Sequence, residues 1–169
     1  MSYEGRGRLL DHTVEVCQTL WREQTARHDG DGLTFDKIHM MPKPLQSGGV
    51  PIWVSGTVNA RSMERLARFG SGWIPWGDDA EDIATGIEKM RAAVSELGRD
   101  PSDLGVVGNL MMVRGADGEP DVDATMAGAP ALVDAGVTDI RLYPNPPRDR
   151  SGATAYLTEL VSRFRAATS

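Results

Sequence analysis

Pro51-Ile52-Trp53-Val54-Ser55-Gly56-Thr57-Val58-Asn59, followed by Gly70-Ser71-Gly72-Trp73-Ile74-Pro75, decides the fold. The first run is short, apolar and bounded by Gly48-Gly49 on one side and Gly56 on the other, the pattern of a buried strand. A helix follows at once, with Ala60, Met63, Leu66 and Ala67 on one face. Gly70 is placed to end that helix in the left-handed conformation that glycine adopts cheaply. Gly72 to Pro75 is then a second strand. Strand, helix and strand joined this tightly imply parallel pairing through a right-handed crossover.

The pattern repeats toward the C-terminus. Asp78 or Asp79 can cap a helix that carries Ile83, Ile87, Met90, Val94 and Leu97 on one side. Gly98-Arg99-Asp100-Pro101 stops it. Leu104 to Val113 is nearly all apolar, as a parallel strand covered on both faces requires, with Asn109 the polar exception. A turn at Gly115-Ala116-Asp117-Gly118 leads to a weaker helix over 123–134, which Gly128 and Pro130 interrupt. Val137 to Tyr143 reads as a fourth strand, and Tyr156, Leu157, Leu160, Val161 and Phe164 mark a final helix over 153–167.

Toward the N-terminus, Leu9, Leu10, Val14, Cys17, Leu20 and Trp21 form one apolar stripe on a helix from Arg8 to Glu23. Residues 25–50 read as a long loop, because Asp29-Gly30-Asp31-Gly32 favours tight turns and Pro42 and Pro44 forbid helix. The expected organisation is one domain, 1–169: a helix to residue 24, the loop, and four strand-helix units from residue 51. Alternation alone admits either an open doubly wound sheet or a barrel.

Eighteen Lys and Arg against 24 Asp and Glu give a net charge of -6. That balance argues against nucleic acid and anionic membranes as partners, since both demand a basic face. A single cysteine, Cys17, excludes an intrachain disulfide and any cysteine-cluster metal site. No apolar run approaches a membrane span, and the first residues lack a signal-peptide core. The expected setting is the cytoplasm. His12, His28 and His39 share no ligand spacing, and His12 reads as exposed beside Asp11. The Asp29 loop lacks a calcium ligand at Leu33 and a terminal glutamate at Met40, so no metal is expected.

The ordered set Gly7-Arg8, His28-Asp29-Gly30, Phe35, Pro42-Lys43-Pro44-Leu45-Gln46, the Pro51 strand and Gly70-Ser71-Gly72-Trp73 resembles the luciferase-like monooxygenase family. These are barrel enzymes that use flavin mononucleotide or the deazaflavin coenzyme F-420. Gly98-Arg99-Asp100-Pro101 and Asp134-Ala135-Gly136-Val137 fit the same order. The resemblance spans essentially the whole chain, but it is to the second half of the barrel. It implies an α/β fold: half of a TIM-type (β/α) barrel, four parallel strand-helix units preceded by a helix and a long loop.

The loop after the first strand is the leading site. Small residues there let N–H groups point outward where a helix begins, which suits a phosphate. The resemblance assigns the cofactor phosphate to Ser55, Gly56, Thr57 and Asn59; the plain alternative is an ordinary capped turn. Trp76, at the strand end where barrel active sites lie, is the expected pocket wall, whereas Trp73 reads equally as core. Arg114 and Tyr143 are further candidates for contact with an anion. No acid or base is assigned, because the strands that carry most of those groups in the family have no counterpart here.

The resemblance therefore implies an oxidoreductase working on a small-molecule substrate with coenzyme F-420 or FMN, once a full barrel is assembled. Four strands cut from a barrel leave two bare edges and one bare face. Two copies pairing as a homodimer, a complementary N-terminal half-barrel chain, or a rearranged open sheet would each cover them. The competing expectation is a non-catalytic half-barrel that dimerises, or the remnant of a shortened or split gene.

Overall fold

The computed structural model describes residues 4–30 and 32–168. Its centre is a four-stranded parallel sheet in sequential order: β3 (Trp53–Gly56), β4 (Gly72–Pro75), β5 (Gly105–Asn109) and β6 (Asp139–Arg141). Before it come helix α1 (Arg6–Arg22) and an antiparallel hairpin, β1 (Ala26–Gly30) with β2 (Leu33–Ile38). Helices α2 (Ala60–Phe69), α3 (Asp78–Glu81) and α4 (Ile83–Glu96) follow β3 and β4. Helices α5 (Val122–Met126) and α6 (Ala129–Asp134) lie between β5 and β6, and α7 (Arg150–Ala167) ends the chain. This is the expected order of four strand-helix units, as in half a barrel.

Strand parity divides the sheet into two unlike faces. Val54, Trp73, Val106 and Ile140 point one way and pack with Met63 and Leu66 of α2 and with Ile87, Met90 and Val94 of α4. Trp73 is fully buried there, its indole N–H donating to the Gly56 carbonyl at 2.9 Å. A second cluster joins Leu110, Met126 and Ala129 to Leu160 and Phe164 of α7. The register places Trp53, Ser55, Ile74, Val107, Asn109, Asp139 and Arg141 on the opposite face, with Gly72 and Gly105. The Trp53 ring lies flat across that face. A Cβ on Gly72 would come within 2.4 Å of the ring and one on Gly105 within 2.6 Å, so glycine is required at both positions.

Several expectations are corrected. Gly70 is extended (φ −75°, ψ 143°) rather than left-handed; it must be glycine because a Cβ would sit 2.5 Å from the Leu66 side chain. The carbonyls at the end of α2 are closed by Arg99, whose guanidinium donates to Leu66, Ala67 and Gly70 at 2.9, 3.3 and 2.7 Å. The strands expected over 104–113 and 137–143 stop at Asn109 and Arg141: Leu110 still donates its N–H to the Arg141 carbonyl at 2.8 Å, but Met111, Val113 and Tyr143 beyond are exposed. The 123–134 helix breaks into α5 and α6 where Pro130 removes a donor in the first turn of α6.

The 25–50 segment holds a hairpin, not only a loop; Asp31 at its turn lies outside the described residues. The hairpin covers α1 on a face other than the expected stripe. Leu9 and Leu10 are exposed, while His12 and Val16 are buried. His12 is thus not the exposed residue expected: its Nε2 lies 2.7 Å from Nε2 of His28, and His28 stacks beside Phe35. Cys17 is half-buried. Lys43 of the Pro-Lys-Pro segment reaches back to the end of α1, donating to the carbonyls of Leu20 and Glu23 at 2.6 and 2.5 Å. That placement suits a cation at a helix C-terminus.

Candidate functional site

The C-terminal ends of the four strands share one rim of the sheet, where the loop from Ser55 to Asn59 carries the chain into α2. Gly56 has φ 145°, a conformation that disfavours any side chain. Asn59 caps the helix in a reciprocal box: its Oδ1 accepts from the Ser62 N–H at 3.1 Å, and its own N–H donates to Ser62 Oγ at 3.2 Å. The Asn59 amide nitrogen donates to the carbonyl and hydroxyl of Thr57 at 3.0 and 3.3 Å. Ser62 Oγ closes the loop by donating to the Thr57 carbonyl at 2.5 Å.

The loop after β4 is stitched to this one. Gly77 lies beside the Thr57 methyl, a Cβ there falling 3.7 Å from it. Asp79 in α3 is buried, and its Oδ2 accepts from the Val58 N–H at 2.7 Å. Lys89 stands 3.6 Å from the same carboxylate. A glycine at 86 lets α4 approach the Asp79 backbone, since a Cβ would lie 2.4 Å from its carbonyl oxygen. One loop donor is therefore already taken by a carboxylate. The N–H groups of Ala60 and Arg61 at the start of α2 keep no intrahelical acceptor.

Among the sequence-derived candidates, Ser55, Gly56, Thr57 and Asn59 are brought together, with Ser55, Thr57 and Asn59 exposed. The side chain of Asn59 is engaged as the cap, so its reach toward a ligand is limited to what that geometry leaves. Trp76 follows β4 on the adjoining loop and is 64% exposed, not walled by other side chains. Trp73 belongs to the core. Arg114 lies in the turn that follows β5, bridged to Pro120 and donating to the Gly118 carbonyl at 2.8 Å. Tyr143 lies two residues beyond β6 and is exposed. Among the described residues, no three His, Cys, Asp or Glu side chains gather as a metal site, and no helix is long and apolar enough to cross a membrane.

Two rim residues escaped the sequence reading. Asn109 and Arg141 end β5 and β6, are register partners, and lie on the face opposite the Val106 and Ile140 core. The signal was present in Asn109, a polar residue closing an apolar strand, but its facing required the register.

A four-stranded parallel sheet with helices between its strands and a polar rim at its strand ends is the architecture of half a (β/α) barrel. Residues 1–163 match the luciferase-like monooxygenase family, and the chain belongs to it. It is 27% identical over 161 residues to uncharacterized proteins of Mycobacterium tuberculosis and Mycobacterium bovis, covering 95% of this chain and 52% of theirs. The chain thus spans about half the length of the curated relatives it matches.

Solved structures agree on the fold. An F-420-dependent secondary alcohol dehydrogenase in complex with an F-420–acetone adduct aligns with TM-score 0.53 and 19% identity, over 99% of this chain and 55% of that one. The monooxygenase RslO1 from Streptomyces bottropensis gives TM-score 0.53 and 21% identity, over 99% and 50%. The long-chain alkane monooxygenase LadA gives 0.53 and 15%, over 95% and 44%.

Proposed function

We propose that this chain is the C-terminal half of a luciferase-like oxidoreductase that uses coenzyme F-420 or FMN and acts on a small molecule once its barrel is closed. The observation that carries the reading is the contrast between the sheet's two faces: α2 and α4 pack on the side of Val54, Trp73 and Val106, whereas the side with Trp53 and Ile74 carries Ser55, Asn109 and Arg141 exposed at the rim that holds the 55–59 loop. The covering element is either a second copy of this chain, giving four strands plus four, or a complementary N-terminal half-barrel.

The donors at the rim fit a phosphate-bearing coenzyme. Ala60 and Arg61 offer open N–H groups at the positive end of α2, Ser55 and Thr57 offer hydroxyls, and Gly56 removes a side chain from the approach. Trp76 supplies an apolar surface beside them. When bound, the coenzyme supplies hydride transfer in the deazaflavin case or oxygen activation in the flavin case. The residues of this chain hold the phosphate, orient the ring system and, after closure, exclude water.

A second reading draws support from Asp79, whose carboxylate occupies the Val58 donor and sets negative charge beside the loop. In that reading the chain is a non-catalytic half-barrel that dimerises. Size-exclusion chromatography with light scattering, with and without FMN and coenzyme F-420, separates the two. A discrete dimer, or a complex with an added N-terminal half-barrel, that carries coenzyme absorbance is the expected result. An assembled particle that binds neither coenzyme would overturn the proposal in favour of the second reading.

A further inference from the structure

Arg141 is a cation at the end of β6, on the rim of the sheet. Its register partner is Asn109, and parity places both on the barrel-facing side, away from the packed core of Val106 and Ile140. Both are exposed. The Arg141 guanidinium makes no hydrogen bond or ion pair to any described residue, unlike Arg65 with Asp11, Arg99 with Asp103 or Arg163 with Glu159. The nearest carboxylate along its own strand face, Asp139, is one row deeper and accepts from the Thr138 hydroxyl at 2.7 Å.

Position separates this cation from the coenzyme loop. The loop leaves β3 and Arg141 ends β6, the two edges of the sheet, so three strand spacings of about 4.8 Å place them about 14 Å apart across the mouth. One phosphate cannot engage both. Arg141 lines one open depression with Val107 and Trp53, with Phe164 from the last helix, and with Asp139, whose carboxylate is held by the Thr138 hydroxyl. A planar guanidinium with an adjacent carboxamide is matched to a carboxylate, which takes two parallel N–H bonds from arginine and a third from the amide.

We propose that Arg141 and Asn109 form an anion subsite on the substrate side of the mouth, which takes a small organic carboxylate whose apolar body lies toward Val107 and Trp53. The inference deepens the reading above, since it makes the barrel-facing side the substrate pocket. An arginine placed inward only to keep an edge strand from pairing wrongly would bind nothing in particular.

Benzoate and its uncharged analogue benzamide test it on the full chain in the assembled state that light scattering defines. Binding is followed by the NMR signals of the Arg141 Nε–H and the Asn109 side-chain amide. Benzoate is expected to shift both signals, and benzamide to bind at least tenfold more weakly. Arg141→Gln should cut benzoate affinity at least tenfold without changing that for benzamide, and Arg141→Lys should restore part of it. Arg114→Gln, which removes a guanidinium engaged by the Gly118 carbonyl and outside the depression, should match the wild type.

Benzoate that leaves both signals unmoved, or binds Arg141→Gln as well as wild type, overturns the subsite. FMN titrated into the same samples keeps the two ideas apart. FMN binding with no benzoate response removes the subsite and leaves the oxidoreductase reading standing, and a benzoate response without FMN or F-420 binding does the reverse. An Arg141→Gln variant that loses FMN in equal measure would reassign Arg141 to the coenzyme, which also overturns the subsite.

Discussion

The two faces of one sheet differ in what their side chains are committed to. On the helix side, Val54, Trp73 and Val106 are buried at 4%, 0% and 0% exposure, and every large side chain has a partner. On the other side, Ser55, Asn109, Asp139 and Arg141 stand exposed, and Trp53 lies against a floor of glycines. Burial is concentrated on the first face and exposed polar side chains on the second, the division expected of barrels whose helices hold the scaffold while strand ends carry chemistry.

The largest effect that would break this contrast is at the two tryptophans within the sheet. Trp73→Ala should cost about 3–5 kcal/mol in urea unfolding followed by circular dichroism, because it empties a filled site and orphans the Gly56 carbonyl. Trp53→Ala should cost only about 1–2 kcal/mol in the isolated chain, since the ring has solvent on one side. Equal losses would mean that the barrel-facing side is already covered in solution.

Gly86→Ala sharpens the comparison from the helix layer. Alanine ordinarily favours a helix, yet here its Cβ meets the Asp79 carbonyl, so a loss of about 1–3 kcal/mol is expected in the same measurement. The Val58 amide, held by Asp79, should also exchange faster with deuterium. Asn59→Ala removes the cap of α2 and should cost about 1 kcal/mol, with Ser62 amide exchange accelerated.

The smallest effect is on acid stability. Hydrogen bonds from the Thr85 side chain and backbone N–H hold the Asp82 carboxyl below the ordinary aspartate range, and the Ser102 N–H does the same for Asp100. A depressed folded-state value contributes stability above the ordinary range near pH 4 that is lost as pH falls through it. Wild type should therefore melt slightly above Asp82→Asn at pH 6, and the gap should close as pH falls below the ordinary aspartate range in thermal scans.

The β3–α2–β4 unit was readable because each part is written locally: an apolar run, a cap, a helical face, a second run. The hairpin was not, since Arg27, Asp29, Asp36 and Lys37 give it no apolar alternation and its hold on α1 comes from the distant pair His12 and His28. Strand ends were overrun at 110–113 because apolar letters do not report pairing: Leu110 turns into the cluster with Met126 and Ala129, while Met111 and Val113 are apolar yet exposed. The 55–59 loop was placed by its small residues and cap. Asp79's claim on Val58 and the pairing of Asn109 with Arg141 depend on register and crossover geometry, which no single stretch of sequence contains.

Trp53, Gly72 and Gly105 also constrain how the sequence can change. With the indole in place, a side chain at either glycine is excluded, so substitution at 72 or 105 is open only to lineages that have first traded the tryptophan for something smaller. Restoring the tryptophan afterwards would require both glycines again. Three positions on three strands are thereby expected to change together, with a preferred order of loss.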